Sequence, residues 1–283
     1  MHYVAKVEDV PLELPPGYEG HADGYGRAAL IGAPAGAVHS GFTLVRLEAG
    51  GRVDRHVHSY EEGFFVLEGS VVVELDGRTY ELREGDYGVF LIAVPHGMRS
   101  AEGARILEMT SPQPRIAPRD TFFVGGEVQE QAPRPDFGDP RTRHVGHFDE
   151  SQLPPASELQ MDGYSGGAIA GVQYKMLVDR VLGSAHLTMF IVQFQPGGGG
   201  NVHDHSFEEC YFLLDGEVEG ILDGTTYQLG PGDVVWSGVG GTHGFFQRGD
   251  KPVRWLETQA PHPPSRDAFR FAAEWETLER RLA

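Results

Sequence analysis

Cysteine, long apolar runs and basic clusters are all scarce in this sequence, and each scarcity excludes a class of protein. The single cysteine, Cys210, cannot form an intrachain disulfide. The longest apolar stretches, such as residues 87–95, fall well below the roughly 18 residues that a membrane-spanning helix needs. The first 20 residues lack the apolar run of a signal peptide. These absences predict a cytoplasmic protein with no membrane partner.

Basic residues are outnumbered by acidic ones. The chain contains 23 Lys and Arg against 41 Asp and Glu, which leaves a formal net charge of −18. Nucleic-acid phosphates are held by clustered Lys and Arg, and the sequence has no such cluster. We therefore expect no nucleic-acid partner.

Turn-forming residues are abundant and separate short apolar runs. The 39 Gly and 19 Pro lie between β-branched and aromatic segments and form no collagen-like period. Asp76-Gly77 and Asp223-Gly224 are each placed between two such segments, where an Asp-Gly turn matches the twist of a hairpin. This pattern predicts an all-β fold of antiparallel strands.

The sequence repeats itself, and every repeated position is shifted by 147 residues. The repeated residues are histidines, one glutamate and several glycines: His39 with His186, His56 with His203, His58 with His205, Glu62 with Glu209, His96 with His243, Gly50 with Gly197, Gly69 with Gly216, and Gly85 with Gly232. A period this long indicates duplicated domains rather than a solenoid.

Domain boundaries follow from this repeat and from composition. We predict an N-terminal extension over 1–38, a first sheet domain over 39–125, a Pro-, Asp- and Arg-rich linker over 126–160, and a second domain over 161–283. At the C-terminus, Phe271, Trp275, Leu278 and Leu282 are spaced four, three and four residues apart. This spacing predicts a short amphipathic helix over 267–282.

The repeated histidines have the spacing of metal ligands. In His56-x-His58 and His203-x-His205 both imidazoles of a pair project from the same face of a strand, about 6–7 Å apart along it. A glutamate follows four residues later in each copy, and a third histidine arrives from a later hairpin. Imidazole with carboxylate suits Mn, Fe, Ni, Cu, Co or Zn, and the absence of thiolates argues against a closed structural zinc site.

These residues resemble the motifs of the cupin superfamily. Each copy has the form Gly-x5-His-x-His-x3-Glu-x6-Gly, starting at Gly50 and at Gly197. The second motif is less faithful, because its usual Pro is Leu91 or Gly238 and its terminal Asn is Ser100 or Gln247. The resemblance covers about residues 39–112 and 186–261. It implies two tandem double-stranded β-helix barrels, a bicupin.

The resemblance also implies which residues bind metal. A divalent first-row transition metal would be held in each copy by three imidazoles and one carboxylate: His56, His58, Glu62 and His96 in the first, and His203, His205, Glu209 and His243 in the second. Such a site keeps a net charge of about +1, which favours a small anionic substrate.

Cupins carry out many reactions, so several functions stay open. The first interpretation is a metal-dependent oxidoreductase of the dioxygenase type, acting on a small organic acid or an enolisable carbonyl compound. The second is an aminohydrolase related to the ureidoglycine enzymes, an isomerase or a lyase. The aminohydrolases of similar length use Glu-x-His-x3-His with a later Gln, a pattern that this chain lacks. The third is a non-catalytic ligand-binding or structural bicupin.

The second copy is expected to carry the main activity. Strand alternation directs Tyr211 and Gln247 into its cavity, where a phenol and an amide could orient substrate or move a proton, so both are candidate catalytic residues. The first copy has Phe64 and Ser100 at these positions. We further expect the two barrels to pack about a pseudo-twofold axis, an arrangement compatible with additional homodimerisation.

Overall fold

The computed structural model of the protein describes residues 1–113, 120–156, 168–263 and 269–271. Two sets of strands, one per repeat, account for most of these residues. The first set is β1 (His2–Lys6), β2 (Ala22–Ile31), β3 (Gly41–His58), β4 (Glu61–Leu75), β5 (Arg78–Arg83), β6 (Asp86–Phe90), β7 (His96–Arg99), β8 (Ala104–Ser111), β9 (Thr121–Phe123) and β10 (Val145–His147).

The second set repeats the pattern in the C-terminal half. It consists of β11 (Ile169–Val178), β12 (Thr188–His205), β13 (Glu208–Asp215), β14 (Val218–Leu222), β15 (Thr225–Leu229), β16 (Asp233–Ser237), β17 (His243–Phe246), β18 (Val253–Ala260) and β19 (Phe269–Phe271). The helices among the described residues are short 3-10 turns at Val7–Asp9, Ala33–Ala35 and Glu150–Gln152. None of them is long and apolar enough to cross a membrane.

Each set of strands closes into a barrel. In the first, β3 pairs with β8, β8 with β4, β4 with β7, and β7 again with β3. The 18-residue strand β3 can serve both sides because it bends at its midpoint, where Gly50 has a φ of 78° that a residue with a Cβ adopts only with strain. Gly197 repeats this bend in β12 with a φ of 75°. The predicted all-β, two-barrel fold is confirmed.

The N-terminal extension and the linker are not separate from the barrels. Strand β2, inside predicted extension 1–38, pairs with β3, while β1 crosses to the other half of the molecule and pairs with β16. Strand β10, inside the predicted linker, crosses in the opposite direction and pairs with β6. The N-terminal barrel therefore comprises β2 to β10, and the C-terminal barrel comprises β1 and β11 to β19.

The crossing strands make equivalent contacts. The Val7 N–H donates to Gly232 O at 2.9 Å, and the Phe148 N–H donates to Gly85 O at 2.8 Å. Buried carboxylates also reach across in both directions. Glu208 accepts hydrogen bonds from the backbone N–H groups of residues 38–40, at 2.8–3.0 Å, and Glu61 accepts from those of 185 and 186, at 2.8 and 2.9 Å. Such reciprocity is what a pseudo-twofold axis produces.

Between the barrels lies a shared apolar core. It joins buried side chains of both halves, including Phe42, Phe65 and Leu107 from one and Leu187 and Phe212 from the other. Each barrel also has an inner core that surrounds its histidines. Most of the predicted helix over 267–282 lies outside the described residues, and its described part, Phe269–Phe271, is a strand paired with β12.

Candidate metal centres

The N-terminal barrel gathers its four predicted ligands at one point. Strand β3 supplies His56 and His58, β4 supplies Glu62, and β7 supplies His96, which pairs directly opposite His56. All four residues are buried. The three imidazole centroids lie 4.4–4.8 Å apart, and His58 Nε2 is 3.6 Å from Glu62 Oε2.

The C-terminal barrel repeats this arrangement with its own strands. His203 and His205 lie on β12, Glu209 on β13, and His243 on β17 opposite His203. Glu209 Oε2 is 2.8 Å from His205 Nε2 and 3.1 Å from His243 Nε2. In both barrels one potential ligand atom from each histidine lies within 4.8 Å of the others.

The outer ring nitrogens hold the imidazoles in a metal-binding orientation. Nδ1 of His56 and of His96 donates to the carbonyl oxygens of Asp54 and Val94, at 2.7 and 2.9 Å. Nδ1 of His203 and of His205 donates to Asn201 O and Phe207 O, at 2.8 and 2.7 Å. A proton kept on Nδ1 leaves the Nε2 lone pair directed into the site, as in most protein metal centres.

These donor sets fit a divalent first-row metal. In the N-terminal barrel, Nε2 of His58 and of His96 and Oε2 of Glu62 are buried without a hydrogen-bond partner among the described residues. Buried polar atoms normally have partners, and a bound cation would provide one for all three. The three imidazoles and one carboxylate suit Mn, Fe, Ni, Cu, Co or Zn.

Burial keeps the imidazoles neutral, which is the form that binds metal. Desolvation lowers the pKa of His56 to about 4 and that of His203 to about 3. The pKa values of His58 and His96 are also well below normal, because burial is reinforced by the neighbouring imidazoles.

The two glutamates differ in their surroundings. Burial and the neighbouring Glu108 carboxylate raise the pKa of Glu62 well above normal, although Arg27 partly opposes them. Burial would likewise raise the pKa of Glu209, but the imidazoles of His205 and His243 outweigh it and hold this pKa well below normal. Glu209 also accepts hydrogen bonds from the Tyr211 hydroxyl and, at 2.7 Å, from Gln259 Nε2.

The two predicted catalytic residues occupy different places. Tyr211 lines the cavity of the C-terminal barrel beside His203 and Glu209. Gln247 does not line that cavity. Its amide instead spans a turn, because Nε2 donates to Lys251 O at 2.6 Å and Oε1 accepts from the Gly249 N–H at 2.5 Å. Strand β17 ends at Phe246, so strand alternation no longer determines where the Gln247 side chain points.

Sequence reasoning missed a buried arginine at the N-terminal site. Arg27, on β2, places Nη2 2.9 Å from Glu108 Oε2 and 3.6 Å from Glu62 Oε2, and its side chain is only 15% exposed. The position lies outside the motifs. A signal was nevertheless present, because β2 and β11 continue the 147-residue repeat, with Gly24 matched by Gly171.

The open spaces at the two sites differ in size. A cleft of about 460 Å³ at the N-terminal barrel is lined by Arg27, Thr43, Tyr60 and Thr110. The Tyr60 ring stacks on that of His58, with centroids 4.3 Å apart. The C-terminal cavity measures about 60 Å³, and it is lined by His203 and Glu209 together with aromatic side chains such as Phe190 and Trp255.

Comparison with known proteins agrees with this architecture. The Cupin domain model matches residues 43–110 and 190–258. Quercetin 2,3-dioxygenase of Bacillus subtilis (strain 168) is 26% identical over 235 residues, which are 72% of this chain and 69% of that protein. Polyketide synthase CurC of Streptomyces cyaneus is 34% identical over 111 residues, 38% of this chain and 68% of that one.

Solved structures share the fold over nearly the whole chain. The oxalate decarboxylase formate complex from Lactobacillus farciminis superposes with a TM-score of 0.68 at 17% identity, covering 97% of this chain and 90% of the other. Oxalate decarboxylase from Bacillus subtilis at pH 4.6 gives 0.65 at 16% identity, covering 99% and 82%. At these identities the likeness concerns the arrangement of the two barrels.

Proposed function

The chain belongs to the cupin superfamily as a two-domain member, a bicupin, and from that premise we propose that it is a metal-dependent oxidoreductase of the dioxygenase type. Its substrate is a small organic acid or an enolisable carbonyl compound. The observation that carries the proposal is the convergence of three oriented imidazoles and one glutamate in each barrel. The similarity to quercetin 2,3-dioxygenase over 72% of the chain supports the oxidative class.

The protein's own residues prepare the site. The carbonyl oxygens that accept from Nδ1 fix each imidazole, so that three lone pairs meet without further reorganisation. A bound divalent metal supplies Lewis acidity toward a substrate oxygen and, where it is redox-active, electrons for dioxygen. Phe90 stacks on His96 with centroids 4.1 Å apart, and Tyr60 stacks on His58, which limits the access of water to the ligands.

Contacts around the two sites favour the N-terminal barrel for the organic substrate, in contrast to the expectation from sequence. The N-terminal cleft is several times larger than the C-terminal cavity and is lined by a guanidinium. The sequence-based preference for the C-terminal barrel depended partly on Gln247, whose amide is engaged in a turn. Tyr211 stays a candidate catalytic residue of the second site.

A non-oxidative lyase is the second candidate. Arg27 beside Glu62 favours it, since a guanidinium next to the metal position would hold a carboxylate that is to be lost as carbon dioxide. No contact among the described residues favours the aminohydrolase in a comparable way.

Oxygen uptake by the metal-loaded protein tests the proposal. Protein reconstituted separately with Mn, Fe, Ni, Cu and Co is supplied with a panel of small organic acids and enolisable ketones in an oxygen electrode, with chelator-treated protein as the control. We expect metal-dependent oxygen consumption in proportion to the substrate consumed. Carbon dioxide release at the same rate without oxygen would instead establish the lyase. Ammonia release, or no turnover by any metal form, would overturn the oxidative proposal.

A further inference from the structure

Arg27 lies at the junction between the N-terminal cleft and the predicted metal ligands. Its backbone is held in place by Glu13, through an N–H to O distance of 2.8 Å in one direction and 3.0 Å in the other. Its side chain reaches inward to Glu108 and Glu62. The 147-residue repeat places Tyr174 at the equivalent position of the C-terminal barrel, so the cation belongs to one site only.

The charge of Arg27 is incompletely matched once a metal is bound. Glu62 is the predicted metal ligand and then shares its charge with the ion, which leaves Glu108 as the principal partner of the guanidinium. Glu108 approaches Nη2 alone, whereas a guanidinium presents five N–H donors in a planar fork. The remaining donors suit a second carboxylate, which a guanidinium binds through two parallel hydrogen bonds.

The outer part of the cleft has a different chemistry. Leu14, Pro15, Pro16 and Ile31 line it, and the Leu14 side chain is 42% exposed without belonging to the core. Hydroxyl groups of Thr43 and Thr110 lie with Arg27 on the inner part. The volume of about 460 Å³ lies within the range of about 300–1,000 Å³ that is typical of ligand pockets, and it exceeds what a two-carbon acid would fill.

We propose that this cleft binds a monocarboxylate with an apolar body, and that Arg27 is the specificity-determining residue that anchors its carboxylate. The apolar body packs against Leu14, Pro15 and Pro16. Arg27 then holds the carboxylate end of the molecule next to Glu62, and so beside the metal position. This inference rests on the proposed function for the role of the site, and it adds the class of substrate.

The C-terminal barrel offers no equivalent place. Its cavity of about 60 Å³ is bounded by Phe190, Phe194 and Trp255, and no Lys or Arg is among the described residues that line it. The proposal therefore predicts a single carboxylate site per chain, in the N-terminal barrel.

Calorimetric titration with phenylacetate tests the proposal on the metal-loaded full chain. Phenylacetamide, its neutral isostere, and oxalate, which lacks an apolar body, are titrated in parallel. We expect one phenylacetate site per chain and at least about tenfold weaker binding of the amide, since hydrogen bonds to charged groups are roughly twice as strong as neutral ones. The same order should hold for metal-free protein, where Arg27 alone recognises the carboxylate.

Variants of Arg27 identify the anchor. Arg27→Gln should weaken phenylacetate binding at least about tenfold, while Arg27→Lys, which keeps the charge and loses the fork, should fall between it and the wild type. The matched control is Arg46→Gln, because Arg46 is 51% exposed and pairs with Glu48 on the surface. Should Arg27→Gln fold poorly with Glu108 left unpaired, the double variant Arg27→Gln/Glu108→Gln removes both charges and keeps both shapes.

Kinetics separate this inference from the proposed function. For any acid that is turned over, Arg27→Lys should raise KM by a larger factor than it lowers kcat, whereas a purely structural defect would reduce metal content and kcat together. Equal binding of acid and amide, or full phenylacetate affinity in the double variant, would overturn the inference even if oxygen uptake continues. Carboxylate-selective binding with no oxygen uptake would instead contradict the oxidative function and leave the inference intact.

Discussion

The two barrels hold the same four predicted ligands but treat the glutamate in opposite ways. In the C-terminal barrel Glu209 is surrounded by donors: two imidazoles, the Tyr211 hydroxyl and the Gln259 amide. In the N-terminal barrel Glu62 has another carboxylate, Glu108, and the Arg27 guanidinium beside it. Duplication preserved the ligands, while the residues one layer out diverged toward a compact polar site in one barrel and an open, charged one in the other.

The largest expected difference concerns the third ligands' neighbours on β3 and β12. His58→Ala and His205→Ala should each lower metal content from about two ions per chain to about one, because each removes one ligand of a four-ligand site. Turnover should fall below about 1% in the His58 variant only, since loss of a group that acts on the reacting centre costs orders of magnitude. Elemental analysis and kcat are measured together. A dead His205 variant beside an active His58 variant would restore the sequence-based preference for the C-terminal barrel.

A smaller difference should follow from Tyr211. Tyr211→Phe removes the hydroxyl that donates to Glu209, and such partners of metal ligands typically contribute about 10–100-fold in metal affinity. We expect that loss at the C-terminal site alone, in a competitive chelator titration that resolves two binding steps. The N-terminal site, where the equivalent residue is already Phe64, is the control within the same molecule. Equal weakening of both steps would show that Tyr211 acts through the fold.

The reciprocal anchors should show symmetry where the metal sites do not. Glu61→Ala and Glu208→Ala each leave backbone N–H groups of the opposite barrel without their acceptor, which should cost about 1–3 kcal/mol of unfolding free energy in either case. Urea unfolding at fixed metal concentration measures it. Metal content of the folded variants should not change. A large effect from one anchor and none from the other would contradict the pseudo-twofold packing.

The smallest effect is expected at Gln247. Gln247→Ala should cost about 1 kcal/mol of stability, through the two hydrogen bonds that span its turn, and should leave kcat and both metal affinities unchanged. Ser100, at the equivalent position of the N-terminal barrel, makes a similar turn contact by accepting from the Gly103 N–H at 2.8 Å. A loss of kcat at normal stability would favour the catalytic role that strand alternation suggested.

Sequence patterns could predict the parts of the molecule that depend on local spacing. The His-x-His pairs, the glutamates and the hairpin glycines recur at fixed intervals, and strand alternation converts these intervals into shared faces. Arg27 and Glu108 could not be found in this way, because each comes from a strand outside the recognised motif. The crossings of β1 and β10 are short strands whose partners depend on the tertiary arrangement, and composition alone made these regions resemble an extension and a linker.

The exchange of β1 and β10 has a consequence for how the polypeptide is made. Lys6 pairs with Asp233, so the C-terminal barrel incorporates residues translated before any of its other strands. This barrel cannot be completed until the ribosome has passed residue 237, and β1 must remain accessible throughout. If the chain were cut between its repeats, β6 and β16 would each lose the strand that covers one side and expose backbone groups able to pair with other molecules. The two halves are therefore one folding unit, although each is a barrel.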